Sequence, residues 1–451
     1  MTWLTVRGID SGKAIPLRGT VAVPGDKSIS HRSLMLGALG EGTSRIEGFL
    51  PSGDCLATLS CIRQLGIQVE HPGSGAPTTL LVHGRGLRGL SVPEAPLDCG
   101  RSGTTMRLLA GILAGQTFDS ILTGDAQLLR RPMRRIADPL KQMGADIEDT
   151  NGHGPLKIHG VETLQGGDYH LPVASAQVKS AILLAGLYAR DTVTVHQPGP
   201  ARDHTERMLA AQIEPVDVAG EPIAFDAETV TLDPEAISRL RALNRLIPGD
   251  FSSAAFLVAA ALLLEASAVT LVGVGVNATR TGLLDVLRAM GADVQLVGKR
   301  VQGGEPIADL GVRASRLSGT NVNGHTVVRM IDEFPILAVV ATQAEGKTVI
   351  QDAAELRVKE TDRIATVADE LTKLGAQIEP RPDGFVVEGP TELKGAEVDS
   401  HGDHRLGMAL TVAGLIARGE TMVHGAECIP DSFPGFVETM QTLGADVRHG
   451  V

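Results

Sequence analysis

A short segment occurs six times in this chain of 451 residues, and this repetition restricts the fold more than any other feature. Each copy has Leu or Met, then Gly, usually Ala, a polar residue, and Ile or Val; one degenerate copy has Ala in place of Gly. The copies are QLGIQVE (64–70), QMGADIE (142–148), MLAAQIE (208–214), AMGADVQ (289–295), KLGAQIE (373–379) and TLGADVR (442–448). A recurring period of this kind is typical of a fold built from similar supersecondary units.

The residues before each copy have the periodicity of an amphipathic helix. Between Asp362 and Leu374, apolar residues recur at the spacing that places them on one helix face. Gly375 then occupies the position where glycine adopts the left-handed conformation that ends helices. The residues that follow alternate between apolar and polar and therefore predict a strand.

A second pattern alternates with the first along the chain. It consists of an apolar helix rich in small residues, a Gly or acidic turn and a β-branched strand, and it occurs at 30–48, 102–124, 175–196, 250–274, 332–351 and 403–425. Its longest apolar run, 254–264, is too short to span a membrane and predicts a buried core helix. Together the patterns predict an α/β protein with six βαβαββ repeats of about 70 residues.

A Pro-Gly break at 248–249 separates the third repeat from the fourth. We therefore expect two domains with three repeats each, one made of residues 1–23 plus 248–451 and the other of residues 24–247. The strand before Pro24 is expected to pair with the C-terminal half of the chain.

The net charge of −12 excludes a general nucleic-acid or anionic-membrane binder, since both need a broad basic surface. The four cysteines form no CxxC pair and have no His at zinc spacing, so we expect reduced, buried thiols and no metal site. No segment of signal-peptide type is visible, and a cytoplasmic location is expected.

Each apolar helix begins at a cluster of polar and charged residues. Helix N-termini bind anions, and Arg adds bidentate contacts to phosphate and carboxylate. Ser and Asp there are also common N-caps, a role that does not account for the basic residues beside them. If symmetry gathers several such ends, they predict a strongly anionic ligand. The basic candidates are Lys27, Arg32, Arg131, Arg202, Lys359, Arg363 and Arg405.

The densest candidate is RVKETDR, residues 357–363. One interpretation is a solvated, ion-paired helix start capped by Thr361 or Asp362. The other is an acid/base pair, Lys359 and Glu360, beside a phosphate-binding Arg363, because neighbouring cations tune a carboxylate for proton transfer. The residues themselves leave both interpretations open.

Eight motifs closely resemble, in order and over nearly the whole chain, those of the 5-enolpyruvylshikimate-3-phosphate (EPSP) synthase family. They are PGDKSISHR (24–32), SGTTMR (102–107), GDAQLLRRPM (124–133), SAQVKS (175–180), RDHTE (202–206), DEFPILA (332–338), LRVKETDR (356–363) and DHR (403–405). The SISHR, SAQVKS and RDHTE forms resemble the second class of the family, which is often less sensitive to glyphosate. The resemblance implies the two-domain enolpyruvyl transferase fold, an inside-out α/β barrel with three βαβαββ repeats per domain, and an active site in the cleft between domains.

The resemblance also implies an activity. The enolpyruvyl group of phosphoenolpyruvate would pass to the 5-hydroxyl of shikimate 3-phosphate by addition and elimination, in the shikimate pathway of aromatic amino acid biosynthesis, without metal or cofactor. A monomer is expected.

The family pattern assigns residues to each substrate. Shikimate 3-phosphate would be bound by Lys27, Ser28, Arg32, Ser175, Ala176, Gln177, Arg202, Asp332 and Lys359. Phosphoenolpyruvate would be bound by Lys27, Gly103, Arg131, Gln177, Arg363 and Arg405.

The implied catalytic residues are Lys27, Asp332, Lys359 and Glu360. Asp332 would accept the hydroxyl proton with help from Lys359. Glu360 would protonate the methylene carbon and take that proton back, although Lys27 remains an alternative donor.

One departure from the family pattern is Asp431, since many members have Lys there. Gly103 follows the pattern and implies inhibition by glyphosate, because a larger residue would crowd this inhibitor.

Two alternatives to this family were compared, one a related enzyme and the other a non-catalytic ring protein. UDP-N-acetylglucosamine enolpyruvyl transferases share the fold, but most carry a reactive Cys near the equivalent of Arg131, and residues 123–133 contain none. A sliding clamp also has six similar units, but its basic residues would be spread over sheet-lining helices, and here they concentrate at helix starts.

Overall fold

The computed structural model describes residues 2–9, 15–74, 78–213, 223–226, 228–237 and 239–450. The chain divides into two compact units. The terminal unit comprises Met1–Pro24, Pro248–Arg300 and Pro306–Val451, and the middle unit comprises Gly25–Ile247 and Val301–Glu305. The last residue of the degenerate repeat copy, Glu214, lies outside the described residues.

Strands and helices alternate along the whole described chain. The strands are β1 (Trp3–Arg7), β2 (Arg18–Ala22), β3 (Glu41–Glu47), β4 (Gln68–Glu70), β5 (Thr79–Arg85), β6 (Leu97–Asp98), β7 (Ser120–Thr123), β8 (Asp146–Thr150), β9 (His153–His159), β10 (Gly167–His170), β11 (Val193–His196), β12 (Ile223–Phe225), β13 (Thr229–Leu232), β14 (Arg245–Leu246), β15 (Ala268–Gly275), β16 (Asp293–Gln302), β17 (Glu305–Arg313), β18 (Asn321–Val322), β19 (Gly346–Ile350), β20 (Gln377–Arg381), β21 (Gly384–Gly389), β22 (Glu397–Asp399), β23 (Glu420–His424) and β24 (Val447–His449). The α-helices are α1 (Lys27–Leu39), α2 (Gly53–Gln64), α3 (Gly103–Leu113), α4 (Ala126–Leu129), α5 (Arg134–Gln142), α6 (Ala176–Gly186), α7 (His204–Gln212), α8 (Phe251–Leu263), α9 (Gly282–Ala289), α10 (His325–Arg329), α11 (Phe334–Ala341), α12 (Arg363–Lys373), α13 (His404–Ile416) and α14 (Phe436–Thr442). Two 3₁₀ helices cover Ala354–Val358 and Ala426–Asp431.

Within the described residues the strands form six four-stranded sheets, which confirms the predicted sixfold repeat. Their strand orders are β14-β3-β5-β4, β6-β7-β9-β8 and β10-β11-β13-β12 in the middle unit, and β16-β17-β15-β2, β18-β19-β21-β20 and β22-β23-β1-β24 in the terminal unit. In every sheet, the strand after the apolar helix has one parallel and one antiparallel neighbour.

Three strands complete sheets far from their own position in the sequence. β2 precedes α1 in the chain, yet it pairs with β15 of the terminal unit. β14 precedes α8, yet it pairs with β3 of the middle unit. β1 lies between β23 and β24. The first strand of one repeat in each unit is therefore supplied by the segment that leads into the other unit.

The six apolar helices form the cores of the units. All thirteen residues of α13 are buried, and α8 is buried over nearly its whole length, which confirms the core helix predicted at 254–264. In the terminal unit α8, α11 and α13 contact one another, and in the middle unit α3 contacts α1 and α6. In the part of the chain that the structure describes, every helix is too short or too polar to cross a membrane.

The amphipathic helices end where the glycines predict. Gly375 follows α12 with φ +91°, and the equivalent glycines after α2, α5, α9 and α14 also have positive φ. In the degenerate copy, Ala210 lies inside α7, which continues to Gln212. The helix runs on because alanine, unlike glycine, favours helix over the left-handed terminating conformation.

Candidate active site

In the middle unit, the N-terminus of α1 presents Lys27. Asp26 caps the helix by accepting a hydrogen bond from the Ile29 amide at 2.9 Å. Lys27 Nζ donates to Asp54 Oδ2 on α2 at 3.0 Å, and both side chains are 16% exposed. This pairing holds the Lys27 ammonium at the N-terminus of α1. The positive end of the helix dipole lies there too, so both favour binding of an anion.

One turn further along α1, Arg32 is buried. Its Nε donates to Thr205 Oγ1 at 2.7 Å and its Nη2 donates to Ser180 Oγ at 2.7 Å. Its Nη1 donates to the carbonyl oxygen of Ser28 at 3.0 Å, and Ser28 Oγ lies 3.5 Å from Nη1 of Arg202. Ser28, Arg32 and Arg202, all predicted from the motifs to bind one substrate, therefore lie together.

Gln177 is fixed at the start of α6. Its Oε1 accepts a hydrogen bond from Arg107 Nη1 at 2.6 Å, and its Nε2 donates to Thr104 Oγ1 at 2.9 Å. The neighbouring Ser175 caps α6 with its hydroxyl, and Ala176 is the first residue of that helix. Because α3 and α6 pack closely, these contacts bring the SAQVKS and SGTTMR motifs into one cluster.

Gly103 begins α3 beside two guanidinium groups. A Cβ atom at this position would lie 3.1 Å from Nη1 of Arg107 and 3.1 Å from Nη1 of Arg131. Such contacts are tighter than side chains normally tolerate, so glycine allows both cations to approach the helix start. The middle unit thus gathers Gly103, Arg131 and Gln177, three of the residues predicted to bind phosphoenolpyruvate.

His31, beside Lys27 and Arg32, is neutral. The pKa of its imidazole is lowered to about 3, chiefly by burial; the charges of Lys27 and Arg32 contribute to this lowering, and the charge of Asp54 partly opposes it. Its Nδ1 lies 2.7 Å from Thr58 Oγ1. His31 therefore supports the helix and supplies no proton at neutral pH.

In the terminal unit, Arg363 forms the centre of the candidate site. Its side chain is buried, with Nε 2.7 Å from Asp403 Oδ2, Nη2 2.7 Å from Glu360 Oε2 and Nη1 3.6 Å from Asp332 Oδ1. Burial lowers the pKa of the guanidinium, but these carboxylates more than offset it and hold the pKa above its usual value. The interpretation of 357–363 as a solvated helix start is therefore wrong for Arg363, although Asp362 does cap α12.

Asp403 joins this cluster to α13. It caps that helix by accepting a hydrogen bond from the Arg405 amide at 2.9 Å. Burial raises the pKa of its carboxyl, and the charge of Arg363 reverses this and leaves the pKa below its usual value. Arg405 Nη2 lies 3.6 Å from Asp332 Oδ2, so Asp332 faces two guanidinium groups.

Two of the three carboxylates around Arg363 are partly exposed, whereas Asp403 is buried. The Asp332 side chain is 14% exposed and that of Glu360 is 25% exposed. Predicted residues Asp332, Glu360, Arg363 and Arg405 thus lie together, with guanidinium groups able to bind an anion and carboxylates suited to proton transfer.

Two further residues singled out in the sequence lie at the ends of the 3₁₀ helices. Lys359 is half-buried at the end of the first 3₁₀ helix, next to Glu360. Asp431 is half-buried at the end of the second, which packs against α13.

Several site residues were missed by sequence reasoning. They are Asp54, Thr104, Arg107, Ser180, Thr205 and Asp403 as side-chain partners of predicted residues. All but Asp54 lie inside the motifs quoted above, and membership of a motif was the one sequence signal that could have identified them. Among the described residues, no group of three or more His, Cys, Asp or Glu side chains is placed to hold a metal ion.

Comparisons with known proteins identify the family of this chain. The family model for EPSP synthase (3-phosphoshikimate 1-carboxyvinyltransferase) matches residues 12–440. A 3-phosphoshikimate 1-carboxyvinyltransferase of Brevibacillus brevis is 50% identical over 426 residues, covering 94% of this chain and 97% of that protein. The solved EPSP synthase of Acinetobacter baumannii is 42% identical, with a TM-score of 0.87 and complete coverage of both chains. The enolpyruvyl transferase NikO of Streptomyces tendae shares the fold at 21% identity, with a TM-score of 0.77 over 100% of this chain and 99% of that one.

Proposed function

The chain belongs to the EPSP synthase family, and from this premise we infer that it acts as a 3-phosphoshikimate 1-carboxyvinyltransferase. It transfers the enolpyruvyl group of phosphoenolpyruvate to the 5-hydroxyl of shikimate 3-phosphate and releases phosphate. This reaction belongs to the shikimate pathway of aromatic amino acid biosynthesis.

The Arg363 cluster is the strongest structural support for the proposed chemistry. A buried guanidinium, a second one on Arg405 and two accessible carboxylates meet in one unit. Arg363 and Arg405 are proposed to bind phosphoenolpyruvate. Asp332 is proposed to accept the proton of the attacking hydroxyl, with Lys359 assisting.

Glu360 is proposed to transfer the proton to and from C3 of phosphoenolpyruvate. As the hydroxyl attacks C2 of phosphoenolpyruvate, Glu360 is proposed to protonate C3. After phosphate leaves the tetrahedral intermediate, the same carboxylate takes a proton back from C3. Lys27 is the alternative donor. Positioning and fixed positive charge supply most of the stabilisation of the developing anion.

The middle unit is proposed to supply the remaining substrate contacts. Ser28, Arg32 and Arg202, with Lys27 and residues 175–177, would bind shikimate 3-phosphate. Gly103 and Arg131, with Lys27 and Gln177, would bind phosphoenolpyruvate. Their hydrogen bonds at helix starts support these assignments, because anions bind there. The terminal and middle units would then act as the two domains of the enzyme, divided near residues 24 and 247.

Further properties follow as proposals from the motifs. The SISHR, SAQVKS and RDHTE forms support membership of the second class, and Gly103 supports inhibition by glyphosate. The four cysteines are unpaired and buried, which fits a reducing cytoplasm. We expect the enzyme to act as a monomer.

The test is phosphate release from phosphoenolpyruvate with two acceptors assayed in parallel. Release with shikimate 3-phosphate alone, abolished in Lys27→Ala and Glu360→Ala, is the expected result. Release with UDP-N-acetylglucosamine alone would keep the reaction class and overturn the substrate. Failure with both acceptors, in a protein that unfolds cooperatively, would overturn the proposed function.

A further inference from the structure

Two neutral hydroxyl groups flank the guanidinium of Arg32. Thr205 Oγ1 accepts from Nε and Ser180 Oγ accepts from Nη2, both at 2.7 Å. The two hydroxyls also lie 2.7 Å from each other, so Arg32, Ser180 and Thr205 form one continuous hydrogen-bonded group. All three side chains are buried.

The neighbours of Arg32 differ chemically from those of Arg363. Arg363 pairs with carboxylates, which offset its charge. The hydroxyls of Ser180 and Thr205 carry no net charge, so they fix the plane of the Arg32 guanidinium without neutralising it. Because a guanidinium binds an anion through a planar fork, fixing that plane lowers the entropy lost on binding.

A buried ion pair holds the two hydroxyls in place. Lys179 Nζ lies 2.6 Å from Glu206 Oε1, and these side chains are 2% and 0% exposed. Lys179 precedes Ser180 on α6 and Glu206 follows Thr205 on α7. The ion pair therefore joins the helices at the level of the hydroxyl pair, and the spacing of the hydroxyls is set by the packing of α6 against α7.

We propose that Ser180 and Thr205 are positioning residues that preset Arg32 to bind an anionic group of shikimate 3-phosphate. The inference rests on the proposed function and adds these two hydroxyls to it. They touch Arg32, so their loss acts on affinity for this one substrate.

The first experiment measures steady-state kinetics of Thr205→Val, which keeps the shape of the side chain and removes the acceptor. We expect KM for shikimate 3-phosphate to rise about tenfold, the factor for one lost hydrogen bond to a charged group. KM for phosphoenolpyruvate and kcat should change little. Thr205→Ser should restore the wild-type KM, and Ser180→Ala should act like Thr205→Val.

The matched control is Ser44→Ala. Ser44 is buried in the same unit, and its hydroxyl accepts a hydrogen bond from the Leu243 amide at 2.8 Å, away from Arg32. This variant should lose stability and keep the wild-type KM for both substrates. An equal rise of KM in Ser44→Ala would show that the effect of Thr205→Val is only loss of stability, and would overturn the proposal.

A double-mutant cycle with Arg32→Lys gives the decisive readout. If Thr205 acts through Arg32, Thr205→Val should raise KM no further in the Arg32→Lys background. Additive effects, or an unchanged KM in Thr205→Val, would overturn the positioning role in an enzyme that still turns over. Absence of turnover with shikimate 3-phosphate in the wild type would instead overturn the proposed function.

Discussion

Arg363 Nε lies 2.7 Å from Asp403 Oδ2, and both side chains are buried. Arg363 is the first residue of α12, and Asp403 caps α13. This single ion pair therefore fixes the starts of two helices relative to each other. The residues proposed for chemistry, Glu360 and Asp332, face the same guanidinium, so their placement depends on it.

Asp403→Asn should destabilise the terminal unit by about 3–5 kcal/mol, because it removes the fully buried carboxylate that pairs with Arg363 and leaves this guanidinium only the partly exposed carboxylates of Glu360 and Asp332. Activity should fall with it, since Arg363 is free to turn away from Glu360. The free energy of unfolding from chemical denaturation and kcat/KM are the two measurements.

Glu388→Gln is the matched control for Asp403→Asn. Glu388 pairs with Lys347 at 3.4 Å, but both side chains are more than half exposed. Loss of such a pair should change stability by less than about 1 kcal/mol. Equal effects of the two substitutions would show that the buried pair has no special role.

Glu360→Gln should lower kcat by about 10²–10⁴-fold, the usual contribution of a general acid/base. Gln keeps the size of the side chain and can still accept a hydrogen bond from Arg363, so affinity for shikimate 3-phosphate should change little. Steady-state kinetics measures the loss of kcat, and equilibrium binding measures the affinity for shikimate 3-phosphate. Glu355→Gln, on the preceding 3₁₀ helix, is the control. A fully active Glu360→Gln would assign the proton transfer to another group, with Lys27 the first candidate.

Gly103→Ala should weaken binding of phosphoenolpyruvate and of glyphosate. The added Cβ would lie 3.1 Å from Nη1 of both Arg107 and Arg131, so at least one guanidinium must shift. KM for phosphoenolpyruvate and the inhibition constant of glyphosate should both rise, whereas Gly311→Ala, where a Cβ would meet its nearest neighbour at 3.9 Å, should leave both unchanged. A wild-type inhibition constant in the millimolar range would contradict the expected sensitivity.

Most of the architecture could be predicted because it repeats. Local signals such as Gly375 at the end of α12 occur in several copies, so each supports the others. The pairing of β14 with β3 could not be predicted in the same way. β14 has two residues, and its partner lies about 200 positions earlier, so no local pattern identifies it.

The candidate site was predicted less completely, because its contacts also join residues that lie far apart in the sequence. The sequence of 357–363 allowed both an exposed and a buried Arg363, and its deciding partner, Asp403, lies 40 positions away. Asp54 gave no signal either. An acidic residue in the first turn of an amphipathic helix is ordinarily explained by the helix dipole alone. Its contact with Lys27 depends on how α1 and α2 pack.

His31 predicts how the stability of the middle unit depends on pH. Its pKa is about 3 in the folded protein, against 6.5 for the unperturbed side chain, so below pH 6.5 the unfolded chain binds a proton that the folded chain does not. Stability should therefore fall with decreasing pH by about 1.4 kcal/mol per unit, or about 2 kcal/mol between pH 6.5 and pH 5. His31→Asn retains a donor near Thr58 and cannot titrate, so the free energy of unfolding of this variant should lose that part of the pH dependence. His325→Asn, at an exposed position on α10, is the control. Parallel curves for wild type and His31→Asn between pH 5 and pH 7 would mean that the folded protein protonates His31 as readily as the unfolded chain does.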